Sequence, residues 1–271
     1  MRLALVVTTY ERPDALEAVL TSIAAQQLVP HETLVADDGS GPSTAALISR
    51  FSAGPIPTLR HVRQEHDGFR LTRLRNLAIA ASSGDYLVFV DGDMVLHSRF
   101  VLDHARAARH GHYTQGVRIH LDQSRTDQLM AAPLDLPGPL SHGIGGLRRV
   151  HALHSARLSR SMRLLGNHLV STKGCNQGFW RSDLVAANGF DEQIVGWGPE
   201  DKELCARLTH AGIRRQTLMF GGIAFHLEHP PASRTRREEN ERILQRTLLE
   251  RRRRCEHGLD GHPGIGSPQH R

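Results

Sequence analysis

The chain has 271 residues, 39% hydrophobic and 23% charged, which is enough apolar material for one sizeable core and excludes wholesale disorder. Aromatic residues make up only 5%, against an all-β sandwich or a sugar-binding module built on stacking platforms. The net charge of +6 is concentrated: residues 147–165 carry five Arg and no acid, and residues 234–254 carry nine Arg against four Glu, leaving a slightly acidic body. Apolar runs such as Leu87–Val90 are far short of the ~20 residues of a membrane span. MRLALVVTTYERP lacks the apolar length and cleavage site of a signal peptide. Cys175, Cys205 and Cys255 show no CxxC spacing, so neither a disulfide framework nor a zinc knuckle is encoded, and a reducing cytoplasm is the expected compartment.

In chain order, residues 3–9 (LALVVTT) form a continuous apolar, β-branched run, as in a buried parallel strand. Pro13 suits a helix first turn, and Ala15, Leu16, Val19, Leu20 and Ile23 follow at helical spacing. A strand at 32–36, a helix around 42–52, a strand near 58–62, a helix over 70–82 and a strand Tyr86–Val90 complete a regular alternation. A helix near 98–109 and a strand near 113–119 follow, after which residues 120–146 turn rich in Gly and Pro and lose their period. Leu147, Val150, Leu153, Leu158, Met162 and Leu165 trace a helical stripe among arginines. A helix after GWGPED, strands near 215–220 and at Ile223–Phe225, and an Arg-rich helix over 236–254 are predicted, with a disordered tail after 257. This alternation predicts an α/β domain with a mostly parallel sheet and flanking helices, whose ligands bind beyond the carboxyl ends of the strands. The polar clusters Thr8-Thr9, Asp37-Asp38 and Asp91-Gly92-Asp93 all fall at those ends.

Asp91 and Asp93, two carboxylates around a Gly, are oxygen ligands of the kind that hold Mg²⁺ or Mn²⁺ beside a substrate diphosphate. Glu200 and Asp201 follow Gly196-Trp197-Gly198-Pro199 at a helix start, where the helix dipole favours acids. Ordinary helix capping explains that pair. An acid pair that grips and deprotonates a hydroxyl, beside an aromatic plane for a sugar face, explains it better.

VVTTYERPDAL, ETLVADDGSG, RNLAIAASSGDYLVFVDGDM and GFDEQIVGWGPEDKELCARL, in this order, resemble glycosyltransferase family 2 enzymes with the GT-A fold. The last block is similar to a C-terminal motif of galactosyltransferases and bacterial chondroitin-type polymerases. The resemblance covers residues 3 to about 229 and implies a GT-A catalytic domain over 1–230, with a nucleotide part of about 1–119 and an acceptor part of about 120–230. Residues 231–256 would be a basic helix and 257–271 a tail.

By that resemblance, Thr8, Glu11, Asp38, Arg75 and Asp91 bind the donor, with Asp38 accepting from the base. Asp93, Asp91 and His226 hold the metal, with His229 as the rival of His226, and an imidazole beside carboxylates suits Mn²⁺ better than Mg²⁺. Asp201 is the general base, Glu200 its acceptor-binding partner, and Trp197 and Asn176 contact sugar. The implied reaction is inverting, metal-dependent transfer from a nucleotide-sugar, a UDP-hexose or UDP-N-acetylhexosamine, to a glycan or lipid-linked glycan. Bacterial lipopolysaccharide or surface polysaccharide is the expected setting. The arginine segments are expected to meet an anionic membrane face, making the protein cytoplasmic and peripheral. No nucleic acid is expected, since few aromatics interleave with the arginines and no recognition motif is present. TTYERP has no glycine, which excludes a dinucleotide fingerprint after the first strand. The alternative is a non-catalytic nucleotide- or polyanion-binding protein on the same scaffold.

Overall fold

A computed structural model describes residues 1–162, 172–230 and 233–262. The first half runs β1 (Leu3–Thr9), α1 (Pro13–Ala24), β2 (Glu32–Asp37), α2 (Pro42–Ser52), β3 (Leu59–Arg63), α3 (Leu71–Ala81), β4 (Tyr86–Asp91), β5 (Met94–Leu96) and α4 (Phe100–Ala107). The second runs β6 (His112–His120), α5 (Gln123–Ala131), α6 (Ala156–Met162), β7 (Asn176–Trp180), α7 (Arg181–Ala187), α8 (Glu200–His210), β8 (Arg214–His226) and α9 (Arg237–Leu249). The strands form one sheet in the order β3-β2-β1-β4-β7-β6-β8-β5. Only β7 and β5 run against the others.

Strand periodicity explains the layering. In β1, Leu3, Leu5 and Val7 join the core under α1, α2 and α4, while Ala4 and Val6 join the core under α3, α7 and α8. Every residue of β1 and β2 is buried, as a strand covered on both faces requires. Pro13 and Pro42 occupy helix first turns, where no backbone N–H is missed. The fold is therefore a single α/β domain with a mostly parallel sheet, as expected. No helix among the described residues is long and apolar enough to cross a membrane.

Several elements differ from expectation. Within 120–146, α5 forms because the Asp122 side chain caps it, accepting from the Arg125 N–H at 2.8 Å. The stripe over 147–165 is broken into a 3₁₀ turn (Gly146–Ala152) and α6, because the Ser155 N–H is drawn to the Phe220 carbonyl at 2.9 Å. Its Val150, Leu153 and Leu158 are exposed, and 163–165 lie outside the described residues. The two expected late strands are one, β8, kinked where Phe220 and Gly222 take positive φ and β6 shifts register between Gly116 and Val117. Helix α9 ends at Leu249, short of Arg251–Arg254. Beyond 257 the chain is held as far as His262: Leu259 is 1% exposed in the core, and the expected tail is described no further.

Glu32 joins β2 to the turn before β4. Its carboxylate accepts from Ser82 Oγ (2.6 Å), Ser83 N–H (2.7 Å) and Gly84 N–H (2.9 Å). Burial opposes its ionisation, but these bonds and Arg60 outweigh it and hold the pKa below the ordinary value. The folded state therefore binds this proton less readily than the unfolded one. The stabilisation is complete above the unfolded pKa of about 4.3 and is lost as pH falls through the folded value. Glu32→Gln is expected to cost about 2 kcal/mol at pH 7 and progressively less below pH 4, read from urea midpoints. A cost independent of pH would refute the charged-acceptor account.

Candidate active site

The sheet direction brings distant residues to one edge. Strands β1, β4, β6 and β8 all end there, and β7, running the other way, begins there. Thr8 lies opposite Asp91, and β5 pairs Met94 with His226, which sets Asp93 beside that histidine. A cavity of about 1130 Å³ opens at this edge. Gly92, between the two aspartates, approaches the end of β1: its N–H donates to the Thr8 carbonyl at 2.7 Å, and a Cβ there would sit 2.8 Å from that oxygen. This close approach requires the glycine whether or not a diphosphate is present.

Arg75 is the hub. Although 1% exposed, it donates to Asp91 Oδ1 at 3.2 Å and to Glu200 Oε1 at 3.1 Å, joining α3, β4 and α8. Thr8 Oγ1 donates to the same Asp91 oxygen at 3.1 Å. Glu200 is pushed up to about 7, by burial first and then by the Asp201 charge, with Arg75 opposing. Asp201, 9% exposed, is also raised by burial, although the Lys202 N–H donates to its Oδ1 at 2.7 Å. Two carboxyls of increased proton affinity at one helix start can take up a proton from a hydroxyl. Cys175 lines the same cavity, but burial pushes its thiol up to about 12, unsuited to nucleophilic attack.

Asp93, His226 and His229 offer ligand atoms that all lie within 4.8 Å of one another. Asp93 Oδ2 is 3.0 Å from His229 Nε2 and 3.7 Å from His226 Nε2. Among the described residues, Asp93 Oδ1 and His226 Nδ1 are buried without a hydrogen-bond partner, which leaves both side chains with polar atoms that a ligand could engage. Burial pushes His226 down to about 4, which keeps the imidazole neutral and its lone pair available. This donor set fits a divalent ion. Both histidines stand on Asp93, whereas Asp91 turns to Thr8 and Arg75.

Asp38 lines the far side of the cavity, where it accepts from Gln64 Nε2 and from His66 Nδ1 (3.2 Å), and Tyr10 stacks on His66 with centroids 4.2 Å apart. Glu11 is not brought to the cavity. Its backbone takes φ 47°, and its carboxylate accepts from the Gly41 N–H at 2.8 Å, bracing the start of α2. Tyr10, beside it, lines the wall and was legible in the sequence only as an aromatic next to the strand end. Asn176 also lies elsewhere. Fully buried, it donates to the carbonyls of Val117 and Gly222, both at 2.8 Å, and its Oδ1 is 2.9 Å from His104 Nε2. It ties β7 to the β6–β8 irregularity and has no donor left for substrate.

Trp197 lines the cavity, with the Arg234 guanidinium 4.8 Å and the Arg237 guanidinium 5.9 Å from its ring centroid. Asn240 of α9 donates to the carbonyls of Val195 (2.9 Å) and Trp197 (3.0 Å), and the Gly196 N–H donates to the Phe69 carbonyl at 2.7 Å. These three bonds pin the loop that carries Trp197. The start of the C-terminal basic segment faces the cavity, which its sequence did not reveal. Elsewhere in the segment Arg236, Arg252 and Arg254 pair with Glu239, Glu250 and Asp260.

A strand-edge cavity with a metal-fitting cluster on one side and a paired acid on the other is the arrangement of a GT-A glycosyltransferase. The family model for glycosyl transferase family 2 matches residues 4–156, more than half of the chain, and the chain belongs to that family. A second model, described as N-terminal domain of galactosyltransferase, matches residues 157–230. Among curated relatives, a chondroitin synthase of Escherichia coli is 26% identical over 84% of this chain and 35% of its own length. A hyaluronan synthase of Pasteurella multocida is 27% identical over 92% of this chain and 27% of its own. The chain thus spans about a third of the length of these relatives. TarS of S. aureus, solved in complex with UDP, has a TM-score of 0.65 at 15% identity over 96% of this chain and 68% of its own. A mannosyltransferase of Pyrobaculum calidifontis, solved with GDP-Man and Mn2+, has a TM-score of 0.56 at 18% identity over 92% of this chain and 61% of its own.

Proposed function

We propose that the chain transfers a hexose or N-acetylhexosamine from a UDP-sugar to a hydroxyl of a glycan or lipid-linked glycan, with inversion, in synthesis of a bacterial lipopolysaccharide or surface polysaccharide. One observation carries this reading: Arg75 links Asp91 to Glu200 across a cavity that also holds the Asp93–His226–His229 cluster. UDP and UDP-GlcNAc in the TarS complexes favour a UDP-sugar, and the GDP-Man complex of the archaeal mannosyltransferase keeps GDP in the test.

In this reading Tyr10 and Asp38 receive the base, and Thr8, Asp91 and Arg75 fix the ribose and diphosphate end. Asp93, His226 and His229 would hold Mn²⁺, which would offset the negative charge of the departing diphosphate. Asp201 takes the proton of the acceptor hydroxyl as its oxygen attacks the anomeric carbon opposite the nucleotide, while Glu200, braced by Arg75, positions that hydroxyl. A single displacement inverts the anomeric centre. The Trp197 loop, held by Asn240, limits the water that would otherwise hydrolyse the donor.

Thermal unfolding with UDP, GDP and CMP, each with and without Mn²⁺, tests the reading. A nucleotide at about 100 times its Kd adds about 2.7 kcal/mol, a rise of roughly 5–10 °C for a chain of this size. The expected result is a rise with UDP that needs Mn²⁺ and disappears in Asp93→Ala. No rise with any nucleotide would overturn the reading.

A further inference from the structure

We infer that the C-terminal segment Cys255–His262 is a clasp that positions Arg75, acting through residues 188–192 of the loop after α7. The inference rests on the transferase reading above only in that Arg75 there serves the donor and braces Glu200.

The first support is how the segment is held. Asn188 ends α7 at φ 67°, the left-handed cap, and turns both its side chain and its carbonyl to the segment. Its Nδ2 donates to the Cys255 carbonyl and to Asp260 Oδ1, both at 3.0 Å, and its Oδ1 accepts from the Asp260 N–H at 2.9 Å. The Asn188 carbonyl accepts from the Leu259 N–H at 2.9 Å, and the Glu192 N–H donates to the His257 carbonyl at 2.9 Å. Leu259 itself enters the core against Gly189, where an added Cβ would sit 3.0 Å from that of Leu259. A segment fixed by side chain, backbone and core together covers this loop from outside.

The second support is what the loop covers. Asn76, next to Arg75 on α3, accepts from the Phe190 N–H and donates to the Phe190 carbonyl, both at 2.8 Å. It also donates to Glu192 Oε1 at 2.8 Å, and His262 Nε2 meets the same oxygen from the clasp. The fully buried Phe190 ring lies 5.2 Å from the Arg75 guanidinium and 5.6 Å from the Phe89 ring of β4. Phe190 therefore closes the wall behind Arg75, yet it belongs to no helix or strand. Its place depends on Asn76 from within and on the clasp from without. The bonds of Arg75 to Asp91 and Glu200 are strong only while water, which offers the guanidinium other partners, is kept out.

The test uses the full chain and three substitutions. Leu259→Asp sets a charge in the core and expels the clasp, His262→Ala cuts only its tie to Glu192, and Leu259→Met keeps an apolar side chain of similar volume. Arginine labelling by phenylglyoxal, read by peptide mass, reports the exposure of Arg75. Labelling of Arg75 is expected to rise tenfold or more in Leu259→Asp and threefold or more in His262→Ala, and to stay at the parent rate in Leu259→Met. Calorimetric UDP affinity with Mn²⁺ is expected to fall in step. Hydrogen exchange is expected to quicken over 188–194 and in α3 while β1 and β2 keep their protection. If Leu259→Asp does not fold, His262→Ala decides. Arg75 still protected in the folded variants, or labelled with UDP affinity unchanged, overturns the clasp. Exchange that quickens equally in β1 and β2 also overturns it, since the segment would then support only general stability. Absence of UDP binding by the parent chain, with the labelling pattern as expected, would sink the transferase reading alone.

Discussion

Asp201→Asn is expected to reduce sugar transfer by about 10²–10⁴-fold while leaving nucleotide affinity near that of the parent. Asparagine keeps the shape of the side chain and an oxygen able to accept from the Lys202 N–H, now 2.7 Å away, so the start of α8 should not move. It removes the capacity to take a proton. Burial has raised the proton affinity of this carboxyl, which suits it to a base that must accept a proton as the hydroxyl oxygen attacks. Initial rates of nucleotide release at saturating donor, with calorimetric affinity for the nucleotide, separate the two effects. Retention of more than half the rate would remove Asp201 from the base role and pass it to Glu200, the other acid of the pair.

Arg207→Met is expected to destabilise the fold by about 3–5 kcal/mol without touching the cavity. Glu203 and Arg207 are one helical turn apart on α8 and are both fully buried. Arg207 donates to both Glu203 oxygens and to the carbonyls of Ala187 and Gly189, and Thr247 of α9 donates to Glu203 at 2.8 Å. Removing the guanidinium strands a carboxylate with a single hydroxyl partner and takes away the donor to the Gly189 carbonyl, while the Ala187 carbonyl keeps the Cys255 N–H at 3.3 Å. The double variant Glu203→Leu/Arg207→Met, which removes both charges, is expected to recover a large part of the loss. Urea unfolding of the three proteins checks this, and a double variant less stable than the single one would contradict it. Because Thr247 and Asn240 lie on the same helix, the pair also stabilises the helix that holds the Trp197 loop.

Much of the fold was legible because buried parallel strands leave a plain signal. LALVVTT and YLVFVD are continuous apolar runs ending in polar residues, ETLVAD carries a shorter apolar run with the same ending, and Pro13 and Pro42 mark helix starts. The missed elements lack that signal. β5 is three residues long and β7 is NQGFW, whose Asn176 and Gln177 are buried only because their polar groups find partners across the sheet. The arginine stripe of 147–165 has helical spacing, yet a bond from Ser155 to the kinked part of β8 divides it.

By itself the sequence determined the α/β alternation, the acids at the strand ends and the family, since these depend on local periodicity and on motifs that lie close together in the chain. Only the tertiary structure decided which candidates meet. It placed Asp93 against both His226 and His229, gave Asp91 to Thr8 and Arg75, set Glu11 on the rim of α2, and enclosed Asn176 in the core. It also turned Arg234 and Arg237, about forty residues beyond Trp197, onto the indole. The physical reason is the same in each case. A side chain capable of hydrogen bonding or charge pairing is used by whichever partner the sheet register and helix packing bring within about 3 Å, and chain spacing does not encode that distance.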